Sequence, residues 1–341
     1  MQSMSLYKNC LLCPRRCGVD REAGERGYCG ETSELRLGFA GIHRGEEPPI
    51  TGNGGSGTIF VSGCNLGCAF CQNFQISREG IGRAVSPEEF AEICLTLQQR
   101  GAENINIVTG SHAAPALALG TEEARKRGLS VPVLWNSSGY EGAETLEIIK
   151  DFVDVYLPDL KTMDSLIAAK FFNAPDYPEH AARAILKMME YRETGCGPQE
   201  QTMVSGVMVR HLVIPGCMEA TRQVLAWFSE NCAGYGRGSS RGHYRDHSRG
   251  SGQGNRRNRA LLSLMTQYTP VKASGPAIPD RFVSKDEYDA VLSMLDEFGI
   301  EDGFCQELVT GSDWLPDFRQ PNPFSSELSV PVWHWRKLFR N

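Results

Sequence analysis

Two rhythms of apolar and polar positions alternate along this chain. Short apolar runs at 58–62, 104–109, 131–136, 153–157, 207–214 and 260–267 read as buried strands. Between them lie helix-length stretches whose apolar residues recur every three or four positions, at 114–127, 143–151, 179–191, 218–230 and 285–298. An earlier helix opens at Ser86-Pro-Glu-Glu89, a capping box with Pro at the first helical position. It puts Phe90, Ile93 and Leu97 on one face and stops at Gly101. A second capping box, Ser284 with Glu287, starts the helix over 285–298.

Strands separated by helix-length segments imply parallel βαβ units in one sheet. Six strong strands counted from residue 58 predict an α/β fold, a partial (β/α)6 TIM-like barrel rather than a complete eight-fold one. A weaker candidate strand lies near 304–308. In parallel barrels the functional face is at the carboxyl ends of the strands. The expected division is a Cys-rich N-terminal segment over 1–45, the barrel over 46–310 and an aromatic, proline-rich tail over 311–341. The first segment lacks apolar periodicity and is too short to build its own core. A polar, glycine-rich link over 45–56 joins it to the first strand. The run 234–258 is glycine, serine and arginine with almost nothing to bury, a disordered insert rather than an element. Its bland role is a tolerated insertion; its functional alternative is a basic arm for RNA or an acidic partner.

Composition narrows the classes. The chain has 341 residues, 41% of them apolar and 22% charged, enough for a core of this size. A net charge of −6 argues against nucleic acid as the default partner. No apolar run approaches the ~20 residues of a membrane span, and residues 1–10 lack the pattern of a signal peptide. The expected compartment is the cytoplasm.

Twelve cysteines are many for a reducing compartment. Cys10, Cys13, Cys17 and Cys29 form one group and Cys64, Cys68 and Cys71 another; the other five are scattered and read as small apolar residues. The second group has the spacing C-x3-C-x2-C in a loop leaving the first strand. Three thiolates so spaced can ligate three irons of a cubane cluster, leaving the fourth open to a non-protein ligand. The alternative is a zinc knuckle closed by a distant Cys or His.

The phrases SGCNLGCAFCQNFQIS, NINIVTG, LWNSSGYE, VYLPDLK and VRHLVIPG resemble the radical S-adenosylmethionine superfamily, in its pyruvate formate-lyase activating enzyme-like branch. The resemblance spans most of residues 10–298, apart from the arginine-rich insert. It implies a [4Fe–4S] cluster on Cys64, Cys68 and Cys71, with Phe70 as the usual aromatic before the last cysteine and a contact to the cofactor. The open iron would bind S-adenosylmethionine, and one electron would split it into methionine and a 5′-deoxyadenosyl radical that abstracts hydrogen. Thr109 and Gly110 stand where relatives contact the methionyl amine, but the acid of that phrase is missing, since Ser111 and His112 follow. Asn136, Ser137 and Ser138 match polar residues that reach the cofactor in relatives; their alternative is a turn before Gly139. Asp159 and Lys161, two apart and so on one strand face, match residues beside cofactor and substrate, with a structural salt bridge as alternative. Arg210 is the candidate for the cofactor carboxylate. His211, its neighbour, is expected to face outward. Gln267 and Tyr268 are plausible pocket residues, Tyr268 equally a core one.

The set C-x2-C-x3-C-x11-C at Cys10–Cys29 matches four-ligand closure around zinc or a second iron–sulfur cluster. The functional expectation is therefore an oxidoreductase-type radical enzyme. Its expected partners are a low-potential donor such as a flavodoxin or ferredoxin and a glycyl-radical enzyme. The rival is modification of another protein, peptide or small molecule. A zinc- or RNA-binding module without turnover is the remote alternative.

Overall fold

The computed structural model describes residues 4–197, 202–233, 259–271, 278–312 and 314–336. The insert expected at 234–258 lies outside them. After a 3-10 turn at Met4–Tyr7 come β1 (Arg36–His43), a short helix α1 (Pro48–Thr51), β2 (Ser56–Val61), α2 (Phe74–Ser77) and the two-residue β3 (Arg83–Ala84). Next come α3 (Pro87–Gln99), β4 (Ile105–Val108), α4 (Ala114–Lys126), β5 (Val133–Ser137), α5 (Ala143–Ile149) and β6 (Val155–Pro158). The helices α6 (Ser165–Phe172) and α7 (Tyr177–Tyr191) lead to β7 (Gly195–Cys196), β8 (Met203–Leu212) and α8 (Met218–Asn231). The chain ends through β9 (Leu261–Met265), α9 (Lys285–Phe298), β10 (Gly303–Cys305) and β11 (Ser329–His334).

The sheet runs in the order β10-β9-β8-β6-β5-β4-β2-β1-β11, with β3 on β1 and β7 on β8. From β2 to β10 every neighbouring pair on that path is parallel. The six expected strands are present and β10 adds a seventh at one edge. The fold is the expected α/β, unclosed barrel. Both helix starts at Ser86 and Ser284 are capped by their serines, the second as a reciprocal box with Glu287.

Two strands lie where no strand was expected. β1, inside the Cys-rich segment, pairs antiparallel with β2, and β11, inside the tail, pairs antiparallel with β1. β1 is buried along nearly its whole length, so it shows no alternation to read. β11 carries Pro331, tolerated because the strand is at the edge and shifts register there. The stretch between β10 and β11 crosses from one edge of the open sheet to the other. It seats Phe318 and Phe324 on Phe60, at 5.3 and 5.4 Å between ring centroids.

The link over 45–56 is more than a tether. Its Ile50 is fully buried among Leu134, Val155, Leu157, Met203 and Met208, side chains that alternate inward from β5, β6 and β8. The link thus stoppers the barrel, and the other end of the interior is left for chemistry.

Candidate active site at the carboxyl ends of the parallel strands

Cys64, Cys68 and Cys71 lie in the loop that follows β2, on the carboxyl face. Gly63 and Gly67 open that loop with φ of +81° and +97°. A Cβ at Gly63 would meet the Cys29 carbonyl at 2.8 Å, and one at Gly67 would meet the Tyr28 hydroxyl at 2.5 Å. Both positions need glycine because the N-terminal segment presses directly on the loop. Arg15 clamps it further. Its guanidinium donates to the carbonyls of Asn65 and Leu66 at 2.9 and 2.7 Å and stacks on Tyr28. The Asn65 amide donates to the Tyr140 carbonyl at 2.6 Å.

The three thiols are electrostatic neighbours. Burial pushes Cys68 up to about 12, opposed by Lys161 and reinforced by Cys71 and Cys64. Burial likewise raises Cys71, with Cys64 adding to it. The Leu66 N–H donates to the Cys64 sulfur at 3.4 Å. Three neighbouring thiols, an N–H aimed at one sulfur and a cation beside another suit an anionic cluster that stabilises thiolates. Among the described residues no three Cys, His, Asp or Glu side chains converge tightly enough for a single metal ion.

Phe70 is buried edge-on against Phe171 and Phe172, both at 5.9 Å, and tilted against Tyr268 at 5.2 Å. Its aromatic ring anchors the loop. Tyr268 is accordingly core, its hydroxyl donating to the Pro279 carbonyl at 2.9 Å. Gln267 meets the loop through its carbonyl, which accepts from the Gln72 amide at 2.7 Å.

Thr109 ends β4 with φ of +63°, a conformation that costs a β-branched residue energy and marks functional sites more often than turns. Gly110 is required for packing, since a Cβ there would lie 2.5 Å from the Trp135 ring. The sequence reading grouped Asn136, Ser137 and Ser138, but the structure separates them. Asn136 shares the inward face of Leu134. Ser137 turns the other way, is 2% exposed, and its hydroxyl accepts from the Gly139 N–H at 3.2 Å. It serves the turn before Gly139, the alternative role expected of it. The Ser138 hydroxyl is buried without a partner, a vacancy suited to a polar ligand atom.

Asp159 and Lys161 form the expected pair, Oδ2 to Nζ at 2.5 Å, beside Cys68. Burial pulls the Lys161 ammonium down, but Asp159, Cys68 and Tyr177 outweigh it and hold it above its usual value. Tyr177, which the sequence reading missed, ties the strand ends together. Its hydroxyl lies 2.9 Å from the Ser138 carbonyl, 2.8 Å from the Asp159 carbonyl and 2.9 Å from the Lys161 N–H.

Arg210 is placed differently from expectation. Its guanidinium is buried below the mouth and held by Glu46, at 2.6 Å, and by Glu47, both from the stopper link. Asn106 also donates to Glu46, at 3.3 Å. A buried cation takes the nearest anions, so Arg210 is committed to the stopper rather than to a cofactor carboxylate. The signal was two adjacent acids in an otherwise glycine-rich link. His211 faces outward as expected, its ring nitrogens 2.8 Å from the Leu160 carbonyl and 3.1 Å from the Thr221 hydroxyl.

Residues 58–215 match the family model for the radical SAM superfamily. An uncharacterized protein of Methanocaldococcus jannaschii, MJ0674, is 26% identical over 306 residues, 87% of this chain and 77% of that protein. Streptococcus suis SuiB aligns at 12% identity and a TM-score of 0.45 over 71% of this chain. The chain spans about half of SuiB, 47%. A domain of pyruvate-formate lyase-activating enzyme from Bacteroides vulgatus aligns at 13% identity and a TM-score of 0.35, over 57% of this chain and 91% of that domain. The superfamily implies a [4Fe–4S] cluster and S-adenosylmethionine, and the three-thiol loop with the strand ends around it fits both. Residues 58–215, which carry that loop and the parallel strands from β2 to β8, belong to the radical SAM superfamily.

Proposed function

We propose that this chain is a radical enzyme of the glycyl-radical-activase kind, drawing on S-adenosylmethionine to take a hydrogen atom from a partner protein. The observation that carries the radical part is the loop of Cys64, Cys68 and Cys71 at the barrel mouth with the Asp159–Lys161 pair beside it. Bound there, the cluster and cofactor supply reductive cleavage of a sulfur–carbon bond and a 5′-deoxyadenosyl radical. The chain supplies position and charge. Lys161, kept protonated, offers a cation at the mouth for a carboxylate; Asp159 fixes that ammonium and balances it. Thr109 and the unpartnered Ser138 hydroxyl offer polar contacts at the ends of neighbouring strands. The buried stopper beneath and the loop packing above exclude water from the mouth.

The activase part rests on the phrases quoted from the sequence. The rival, action on another peptide, protein or small molecule, is favoured by Ser111 standing where relatives carry an acid. The electron source is a low-potential donor of the flavodoxin or ferredoxin class. The test is anaerobic: reconstituted, dithionite-reduced protein given S-adenosylmethionine should release 5′-deoxyadenosine, and Cys68→Ala should release none. Wild-type protein that yields no 5′-deoxyadenosine overturns the radical reading. A glycyl-radical signal in electron paramagnetic resonance after mixing with candidate partners supports the activase part, and hydrogen abstraction from other substrates alone refutes it.

A further inference from the structure

The N-terminal segment holds four further cysteines that the radical reading leaves unused. Cys10, Cys13 and Cys29 are only 6%, 8% and 8% exposed, and Cys17 is half-buried. They are electrostatic neighbours: burial above all raises the Cys13 thiol, and Cys29, Cys10 and Cys17 add to it. The segment packs them against the barrel through Leu12, whose carbonyl accepts from the Thr145 hydroxyl at 2.7 Å.

Arg21 makes the grouping informative. It is 1% exposed. Its guanidinium donates to the carbonyls of Glu31, Thr32 and His112, at 3.1, 2.6 and 2.7 Å, and lies over the Tyr7 ring. Among the described residues no carboxylate comes within ion-pair distance of it. What it does meet is sulfur, donating to Cys10 Sγ at 3.7 Å. A guanidinium buried this deeply demands a counter-charge. Neutral thiols do not provide one; metal-bound thiolates do. A second donor has the same aim, the Tyr28 N–H pointing at Cys17 Sγ from 3.3 Å. The same N–H to sulfur contact occurs at Cys64 in the radical loop.

Four thiolates could hold zinc or a cluster. Zinc needs all four sulfurs about 2.3 Å from a single point. Both groups share an N–H-to-sulfur contact, at Cys17 and at Cys64, of the kind that tunes thiolates around a cluster.

We propose that Cys10, Cys13, Cys17 and Cys29 bind a second [4Fe–4S] cluster, with Arg21 as its buried counter-charge. Its position has a consequence for the first. The Cys29 carbonyl accepts from the Cys64 N–H at 3.3 Å, so one hydrogen bond joins a ligand of each site. Loss of the second cluster therefore loosens the loop that carries the first.

The proposal rests on residues outside the radical triad, so it can fail while the radical reading stands. The probe is ferric iron with sulfide in anaerobic reconstitution, zinc being present in competition. The variant Cys64→Ala/Cys68→Ala/Cys71→Ala keeps only the N-terminal ligands. It should retain about four irons and four sulfides per chain, with broad thiolate-to-iron absorbance. One zinc, or no metal, in that variant overturns the proposal. Independently, wild-type protein should hold about eight irons, falling by about half or more in Cys13→Ser/Cys17→Ser. Wild-type protein that saturates at about four irons, or an iron content unchanged by the double substitution, overturns it as well.

Discussion

Single residues at the mouth divide between those that face a ligand and those that hold the frame, and substitution separates them. Thr109 pays for its left-handed backbone, of order 1–3 kcal/mol for such a conformation. Thr109→Gly should raise stability in urea unfolding by about 1 kcal/mol. If its side chain serves the cofactor, 5′-deoxyadenosine release falls in the same variant; stability that does not rise refutes the strain. Arg210 belongs to the frame. Arg210→Met leaves Glu46 and Glu47 buried together and should cost about 3–5 kcal/mol. Adding Glu47→Gln to it should restore part of that loss, because one of the two stranded charges is gone. Additive costs in the double variant would contradict the pairing. None of this frame was legible from spacing. Arg210 looked like a ligand residue because a strand pattern shows which side chains point inward, not which loop returns to meet them.

Among the elements, those that repeat were readable and those that occur once were not. Every parallel strand from β2 to β9 was visible as an apolar run between helices, since both of its faces are covered. The cluster loop was visible because three cysteines in eight positions have few structural uses. β1 and β11 escaped because their partners lie in other parts of the chain and nothing local marks them. β11 nonetheless does specific work, covering one side of β1. A chain ending at residue 325 should expose that edge of β1. The expected outcome is a soluble fraction that self-associates in size-exclusion chromatography; a monodisperse truncated chain would show that the strand is dispensable. Phe70 belongs to this scale too. Phe70→Ala should cost about 3–5 kcal/mol and lower iron retention, since the ring fixes the loop.

For the molecule as a whole, acid stability follows from histidines buried without charge. Burial above all pushes His211 from 6.5 down to about 4. The unfolded chain binds its proton first, so stability is whole above about pH 6.5 and declines as pH falls toward 4. His211→Gln should flatten that slope in urea unfolding followed across pH; an unchanged slope assigns the acid sensitivity elsewhere. No helix among the described residues is long and apolar enough to cross a membrane.

Contacts that complete this fold join parts of the chain far apart in sequence. Phe39 pairs with His334 across the β1–β11 ladder, and the Arg15 guanidinium donates to the Asn173 carbonyl, 158 positions later. During synthesis the cysteine-rich segment docks in stages, on the Cys64 loop, then on His112 and Thr145, and last on Asn173 beyond α6. β1 waits longer still, unpaired on its outer side until β11 has been made. Iron delivered to a nascent chain would thus meet loose thiols, whereas iron delivered after release would meet a formed cradle. Maturation of this protein is timed by its own contact order.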